Sequence, residues 1–185
     1  MSIDGYKIRD QYAVHFITFS VIEWVDVFTR KDYANIVVDS LNYCKIHKGL
    51  KVHAWCIMSN HLHLMLSATL PEFTLSDIIR DFKKFTSQQI LKAIENNPKE
   101  SRKGWMLWIF RSAGKQNSRN EKYQFWQQNN HPIECYDISI TKIKLNYIHE
   151  NPLRAGLVKS EWEYTYSSAT DYCCNQPGLI KIDHI

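Results

Sequence analysis

Lys51-Val-His-Ala-Trp-Cys-Ile-Met-Ser-Asn-His-Leu-His-Leu-Met-Leu-Ser-Ala68 is the stretch whose reading decides the fold. Lys51 to Met58 reads as one strand, Ser59-Asn60 as a tight turn, and His61 to Ala68 as the returning strand of a β-hairpin. Side chains at i and i+2 of a strand share a face. Leu62, Leu64 and Leu66 therefore bury one face, while His61 and His63 stand together on the other. Two imidazoles side by side are half of a metal site, and the rest of the chain must supply what the metal serves.

Working outward, Tyr12 to Val21 mixes alternation with β-branched and aromatic residues and predicts a first strand. Asp32 to His47 carries Tyr33, Ile36, Val37, Ser40, Leu41 and Cys44 at helical spacing, with Gly49 as the stop. Thr74-Leu-Ser-Asp77 resembles a capping box and opens a long helix. That helix has Leu75, Ile78, Ile79, Phe82 and Ile90 on one side and Arg80, Lys83, Lys84, Ser87 and Gln88 on the other. Residues 96–103 predict a polar loop, and 104–135, rich in Trp and Tyr with interspersed Asn, Ser and Gly, predict short strands and a loop. A last helix, capped by Asp137 or Ser139, is expected to end at Asn151-Pro152. No internal repeat is visible. The order β-α-β-β-α argues for an α+β fold, one antiparallel sheet with helices packed on it. The 185 residues suit a single domain, with a catalytic core of about 12–158 and a tail of about 159–185 that shows no clear period.

A hydrophobic content of 44% with 13% aromatic residues argues for a folded chain rather than disorder. The start of the chain is charged and lacks the apolar stretch of a secretory signal. The longest segment free of Lys, Arg, Asp and Glu, Val52 to Pro71, contains three histidines and is a poor membrane span. The expectation is a cytoplasmic protein, with no membrane partner. Cys44, Cys56, Cys135, Cys173 and Cys174 form no C-x-x-C pair and read as free thiols. The net charge of +4 permits nucleic-acid binding without demanding it.

The final helix contains the second half of the site. At about 100° per residue, Ile138, Thr141, Leu145 and Ile148 fall in one arc, a core stripe. Lys144, Tyr147 and Asn151 fall in another. Tyr147 and Asn151, at i and i+4, stack one turn apart, so a phenol and an amide point together beside a lysine.

The pieces M-S-N-H-L-H-L-M-L, F-K-K-F-T-S and L-N-Y-I-H-E-N-P-L-R-A-G-L-V, in this order, resemble the single-tyrosine HUH transposases. The resemblance is greatest to the REP-associated tyrosine transposases and related insertion-sequence enzymes, and runs from about Val14 to Tyr172. It implies a ferredoxin-like or RRM-like antiparallel sheet, the HUH endonuclease fold. It also implies a divalent metal on His61 and His63, Tyr147 as nucleophile, and single-stranded DNA, often beside hairpins, as partner. Some relatives add a glutamine one turn after the tyrosine as a third metal ligand. Here that position is Asn151, one methylene shorter. Both monomers and dimers with exchanged helices occur in the family, so a homodimer is an open expectation, as is nucleoid association when DNA is bound.

The chemistry fits independently. Phosphodiester cleavage needs a nucleophile, charge neutralisation and alignment, and attack by a tyrosine conserves the bond energy in a covalent phosphotyrosine, so rejoining needs no ATP. No P-loop is present. Oxygen ligands suit Mg²⁺ or Mn²⁺, and the imidazoles push toward Mn²⁺ or softer ions. Lys83, Lys84, Lys142, Lys144 and Arg154 are candidate DNA-backbone contacts. Trp105, Trp108, Tyr123 and Trp126 can stack bases, but core packing is the expectation for them. Two rival readings stay open. One is a non-catalytic or domesticated nucleic-acid-binding protein on the same fold; the other is a metal-dependent phosphodiester hydrolase that uses water.

Overall fold

The hairpin forms as its residues dictate. In the computed structural model, which describes residues 7–116 and 122–185, β2 (Leu50–Ile57) and β3 (His61–Ala68) pair antiparallel from Leu50↔Ala68 to Ile57↔Leu62, with an irregularity at His53. β1 (His15–Ser20) lies on the other side of β3, and a two-residue β4 (Ile133–Glu134) pairs with β1. The sheet order is β2-β3-β1-β4. With α1 (Lys31–Lys48) between β1 and β2 and α2 (Leu75–Asn96) after β3, this is the ferredoxin-like arrangement, an α+β fold.

The period-two pattern gives the sheet two apolar faces. Ile17, Phe19, Val52, Trp55, Ile57, Leu62, Leu64 and Leu66 join the main core with Val37 and Leu41 of α1 and Ile78, Phe82 and Ile90 of α2. On the other face Phe16, Ala54, Cys56, Met58 and Met65 pack with Ile148 and Leu145 of α4 (Ile138–Arg154). α4 thus lies across the sheet from α1 and α2, over the face that carries the histidines.

The caps explain the boundaries. Gly49 ends α1 in a left-handed conformation (φ 64°), its N–H donating to the Cys44 carbonyl. Thr74 Oγ1 accepts from the Asp77 N–H at 3.1 Å and starts α2. Asp137, rather than Ser139, caps α4 by accepting from the Ile140 N–H at 2.8 Å.

Four expectations need correction. Residues 103–115 are not strands but a helix, α3 (Lys103–Lys115), in which Met106 and Phe110 are buried one turn apart. Trp126 is in the core, whereas Trp105 and Trp108 of α3 are exposed. The last helix does not stop at Pro152 but reaches Arg154. Proline lacks only its own N–H, and the turn closes through Leu157 N–H to the Pro152 carbonyl at 2.9 Å, with Gly156 left-handed (φ 70°). Ile138, placed in the core stripe by its arc, is exposed, because it is the first residue of α4 and lies beyond the sheet.

The polar segment after α2 is held by a buried ion cluster, in which the Glu100 carboxylate accepts from Arg30 Nε (2.6 Å), Arg102 Nε (3.0 Å) and the Tyr33 hydroxyl (3.3 Å). The tail contains a short helix, α5 (Ala169–Cys173), and buries Ile180 and Ile182 in the main core. Its Asp183 pairs with Lys45 and accepts from the Val52 N–H. All five cysteines are free thiols. Among the described residues, no helix is long and apolar enough to cross a membrane.

Candidate active site

β3 delivers its odd-numbered side chains to the α4 face, and there the two histidines meet. Their Nε2 atoms are 3.1 Å apart and their ring centroids 4.6 Å apart. His63 is buried and only His61 is half-exposed, so the pair is less superficial than its sequence position suggests. Each outer nitrogen has a partner: His61 Nδ1 meets Asn60 Oδ1 at 2.7 Å, and His63 Nδ1 meets Thr18 Oγ1 at 2.9 Å. Thr18 faces His63 because these two residues pair across β1 and β3. Burial pushes the His61 imidazole below its ordinary range. It pushes His63 down to about 3, with neighbouring His61 and Lys144 adding to the effect. Both rings are therefore neutral near pH 7, the state in which imidazole ligates a metal.

α4 brings Tyr147 to the same place. Its ring stands edge-on to His63 at 5.0 Å between centroids and edge-on to Phe16 at 5.8 Å. Phe16 in turn stacks on His63 at 5.7 Å, and Lys144 Nζ lies 4.9 Å from the Phe16 centroid. One buried aromatic ring thus carries a histidine, the tyrosine and a lysine. Arg154, paired with Glu150, places its guanidinium carbon 6.0 Å from the Tyr147 centroid. Tyr147 is 38% exposed, and its hydroxyl makes no hydrogen bond to any described residue. One turn on, Asn151 donates its amide N–H to the Tyr147 carbonyl at 3.0 Å, and its Oδ1 is the amide's acceptor.

The donor set suits a divalent ion. Two nitrogens 3.1 Å apart, each about 2.1 Å from one ion, subtend about 95°, near the angle between adjacent octahedral corners. Among the described residues no three His, Cys, Asp or Glu side chains gather to hold a metal alone, so the remaining ligands would be oxygens such as the Asn151 amide, phosphate or water.

The other sequence candidates separate. Lys142 is exposed on α4. Lys84 is exposed on α2, across the sheet from Tyr147. Lys83 is turned inward, donating to the Gln127 carbonyl (2.8 Å) and Asn130 Oδ1 (2.6 Å) over the Phe19 ring, and burial brings its ammonium down to about 8. His149 is structural: it is buried against Ser168 Oγ at 2.9 Å. Sequence reasoning missed Phe16, Thr18 and Asn60 as supports. The alternation of β1 gives Phe16 and Thr18 a common face, but only strand register shows that this face meets His63.

A ferredoxin-like sheet with a histidine pair and a helix-borne tyrosine on one face is the arrangement that the resemblance to HUH transposases implied. The family is then fixed by comparison: the model for "Transposase IS200 like" matches residues 9–111, more than half the chain. The chain belongs to this family of single-tyrosine, DNA-cleaving transposases. The match includes His61 and His63; Tyr147 lies beyond it. Among solved structures, a REP-associated tyrosine transposase bound to a REP hairpin is similar at TM-score 0.66 and 15% identity, over 97% of this chain and 90% of the other. A candidate transposase from Deinococcus radiodurans R1 has TM-score 0.44 and 15% identity, over 77% of this chain and 94% of its own. No curated protein sequence matches.

Proposed function

We propose that this transposase nicks and rejoins single-stranded DNA through a covalent bond to Tyr147, with a divalent metal, Mg²⁺ or Mn²⁺, held by His61, His63 and the Asn151 amide. The observation that carries the reading is the Tyr147 ring edge-on to His63 at 5.0 Å, on the face where the two Nε2 atoms converge. When bound, the metal would neutralise and orient the scissile phosphate. Tyr147 Oη attacks phosphorus and the P–O3′ bond breaks. The strand's 5′-phosphate is left on the tyrosine, and the other piece leaves as a 3′-hydroxyl. The phenol proton passes to water, since no described side chain bonds the hydroxyl. Attack by a 3′-hydroxyl on the phosphotyrosine reverses the step and restores Tyr147. Lys144 and Arg154 beside the ring, and Lys142 further along α4, would contact backbone phosphates. Lys84, and Lys83 if its inward bonds give way, would serve a more distant part of the DNA.

A hairpin-bearing strand is the preferred substrate form, by analogy with the similar transposase bound to a REP hairpin. The test is nicking of labelled single-stranded DNA that carries a REP-type hairpin. Tyr147→Phe should abolish cleavage in Mn²⁺ while leaving DNA affinity intact. Undiminished cleavage by Tyr147→Phe would replace this reading with a water-using hydrolase.

A further inference from the structure

We infer that Asp26 is a positioning residue for the histidine pair: through the Asn60 amide it holds His61 in the one tautomer that leaves its Nε2 lone pair facing His63. The inference rests on reading the pair as a metal site. Asn60 Nδ2 donates to Asp26 Oδ1 at 3.0 Å and to the Trp24 carbonyl at 3.2 Å. Carboxylate and carbonyl oxygens only accept, so the NH₂ end of the amide must face them. That turns Asn60 Oδ1 toward His61 Nδ1 at 2.7 Å. An amide oxygen also only accepts, so Nδ1–H of His61 is the donor. A neutral imidazole carries one ring hydrogen, which leaves Nε2 bare, 3.1 Å from His63 Nε2.

The surrounding chain is built to hold this relay. Glu23 and Trp24 both adopt left-handed backbone (φ 52°), a conformation unfavourable for non-glycine residues that persists where the surroundings enforce it. This turn aims the Trp24 carbonyl at Asn60 and sets the Trp24 ring edge-on to His61 at 5.8 Å. The segment is fastened to the hairpin turn by Val21 N–H to the Asn60 carbonyl (2.9 Å) and Phe28 N–H to the Ser59 carbonyl (2.8 Å). The Asp26 carbonyl accepts from Arg102 Nη1 at 2.8 Å, and Arg102 is itself held by buried Glu100. His63 is treated differently. Without metal it donates Nε2–H to the bare His61 Nε2; because its Nδ1 meets the Thr18 hydroxyl, which donates or accepts equally well, it can move that hydrogen to Nδ1 when a metal takes Nε2. One ligand is locked and the other adapts.

The test uses isotope-labelled full-length protein without metal or DNA, above neutral pH, and long-range proton–nitrogen correlation spectra that report which ring nitrogen bears hydrogen. Wild-type His61 should be in the Nδ1–H form. Asp26→Ala leaves the amide held by the Trp24 carbonyl alone, so the Nε2–H form should become populated, and Mn²⁺ affinity, read from the free-ion paramagnetic resonance signal, should fall about tenfold. Asp26→Asn, which can still present an oxygen to Asn60, should restore both. A His61 that carries its hydrogen on Nε2 in the wild type overturns the inference without recourse to any variant, as does an unchanged tautomer in folded Asp26→Ala. Absence of Mn²⁺ binding in a wild type whose His61 is locked would refute the metal site and leave the Asp26 assignment standing.

Discussion

Phe16→Leu isolates what one ring does for the site. The substitution retains most of the apolar volume, so the loss is that of the ring's own interactions. Phe16 stacks on His63 at 5.7 Å, meets Tyr147 edge-on at 5.8 Å and lies 4.9 Å below Lys144 Nζ. Aromatic pairs contribute about 0.5–1.5 kcal/mol each beyond burial and a cation–π contact about 0.5–1. Because one ring serves all three, the combined loss should be near 2 kcal/mol. For a domain of this size that is a Tm lower by roughly 4–8 °C. The functional loss should be larger than stability alone explains, since misplacing a nucleophile by ~1 Å can cost about 100-fold. Phe19→Leu is the control. It makes comparable contacts with Phe82, Trp126 and Lys83, but on the opposite face of the sheet. Urea unfolding should show similar destabilisation for both variants, whereas nicking per folded molecule should fall only for Phe16→Leu. Equal nicking by the two variants would refute the claim that Phe16 aligns His63 and Tyr147.

Glu100→Gln should cost about 3 kcal/mol in urea unfolding, because it leaves the guanidinium groups of Arg30 and Arg102 without their buried anion. Burial pushes the Glu100 carboxyl up, but hydrogen bonds from Arg102 and Arg30 outweigh it and bring it from 4.5 down to about 2. A carboxyl lowered on folding stabilises above its unfolded pKa and loses that contribution as the pH falls through its folded value. Wild-type stability should therefore decline between about pH 4.5 and pH 2 more steeply than that of Glu100→Gln, as followed by circular dichroism. Asn151→Ala should raise the Mn²⁺ midpoint of nicking roughly tenfold if the amide oxygen is a ligand. An unshifted midpoint with a lower Tm would make Asn151 only a brace for the Tyr147 carbonyl.

The hairpin was legible because alternation is strict on β3 and broken only once on β2, at His53, and Leu62, Leu64 and Leu66 fix which way the histidines face. The two long helices were equally legible, since Gly49 and Thr74 are strong boundary signals. α3 was not: its two tryptophans look like core or strand residues, yet the side chains it buries are Met106 and Phe110, and nothing local marks Trp105 and Trp108 as exposed. Pro152 misled because the true stop, Gly156, lies four residues later. Within the site, the pairing of Tyr147 with Asn151 follows from helical period alone. The meeting of Tyr147 with His63 follows from α4 crossing the sheet, which the resemblance implied and the local sequence does not encode. Phe16, Thr18, Asn60 and Asp26 act through strand register and loop docking, long-range geometry that no sequence spacing reveals.

The central claim is that Tyr147 becomes covalently attached to DNA. The most direct measurement is peptide mapping by mass spectrometry after the protein is incubated with Mn²⁺ and single-stranded DNA carrying its site. One tryptic peptide should gain the mass of the 5′-phosphorylated strand, with fragmentation localising it to Tyr147, and chelator should prevent its formation. A strand attached to another residue, or complete cleavage without any adduct, would contradict the account.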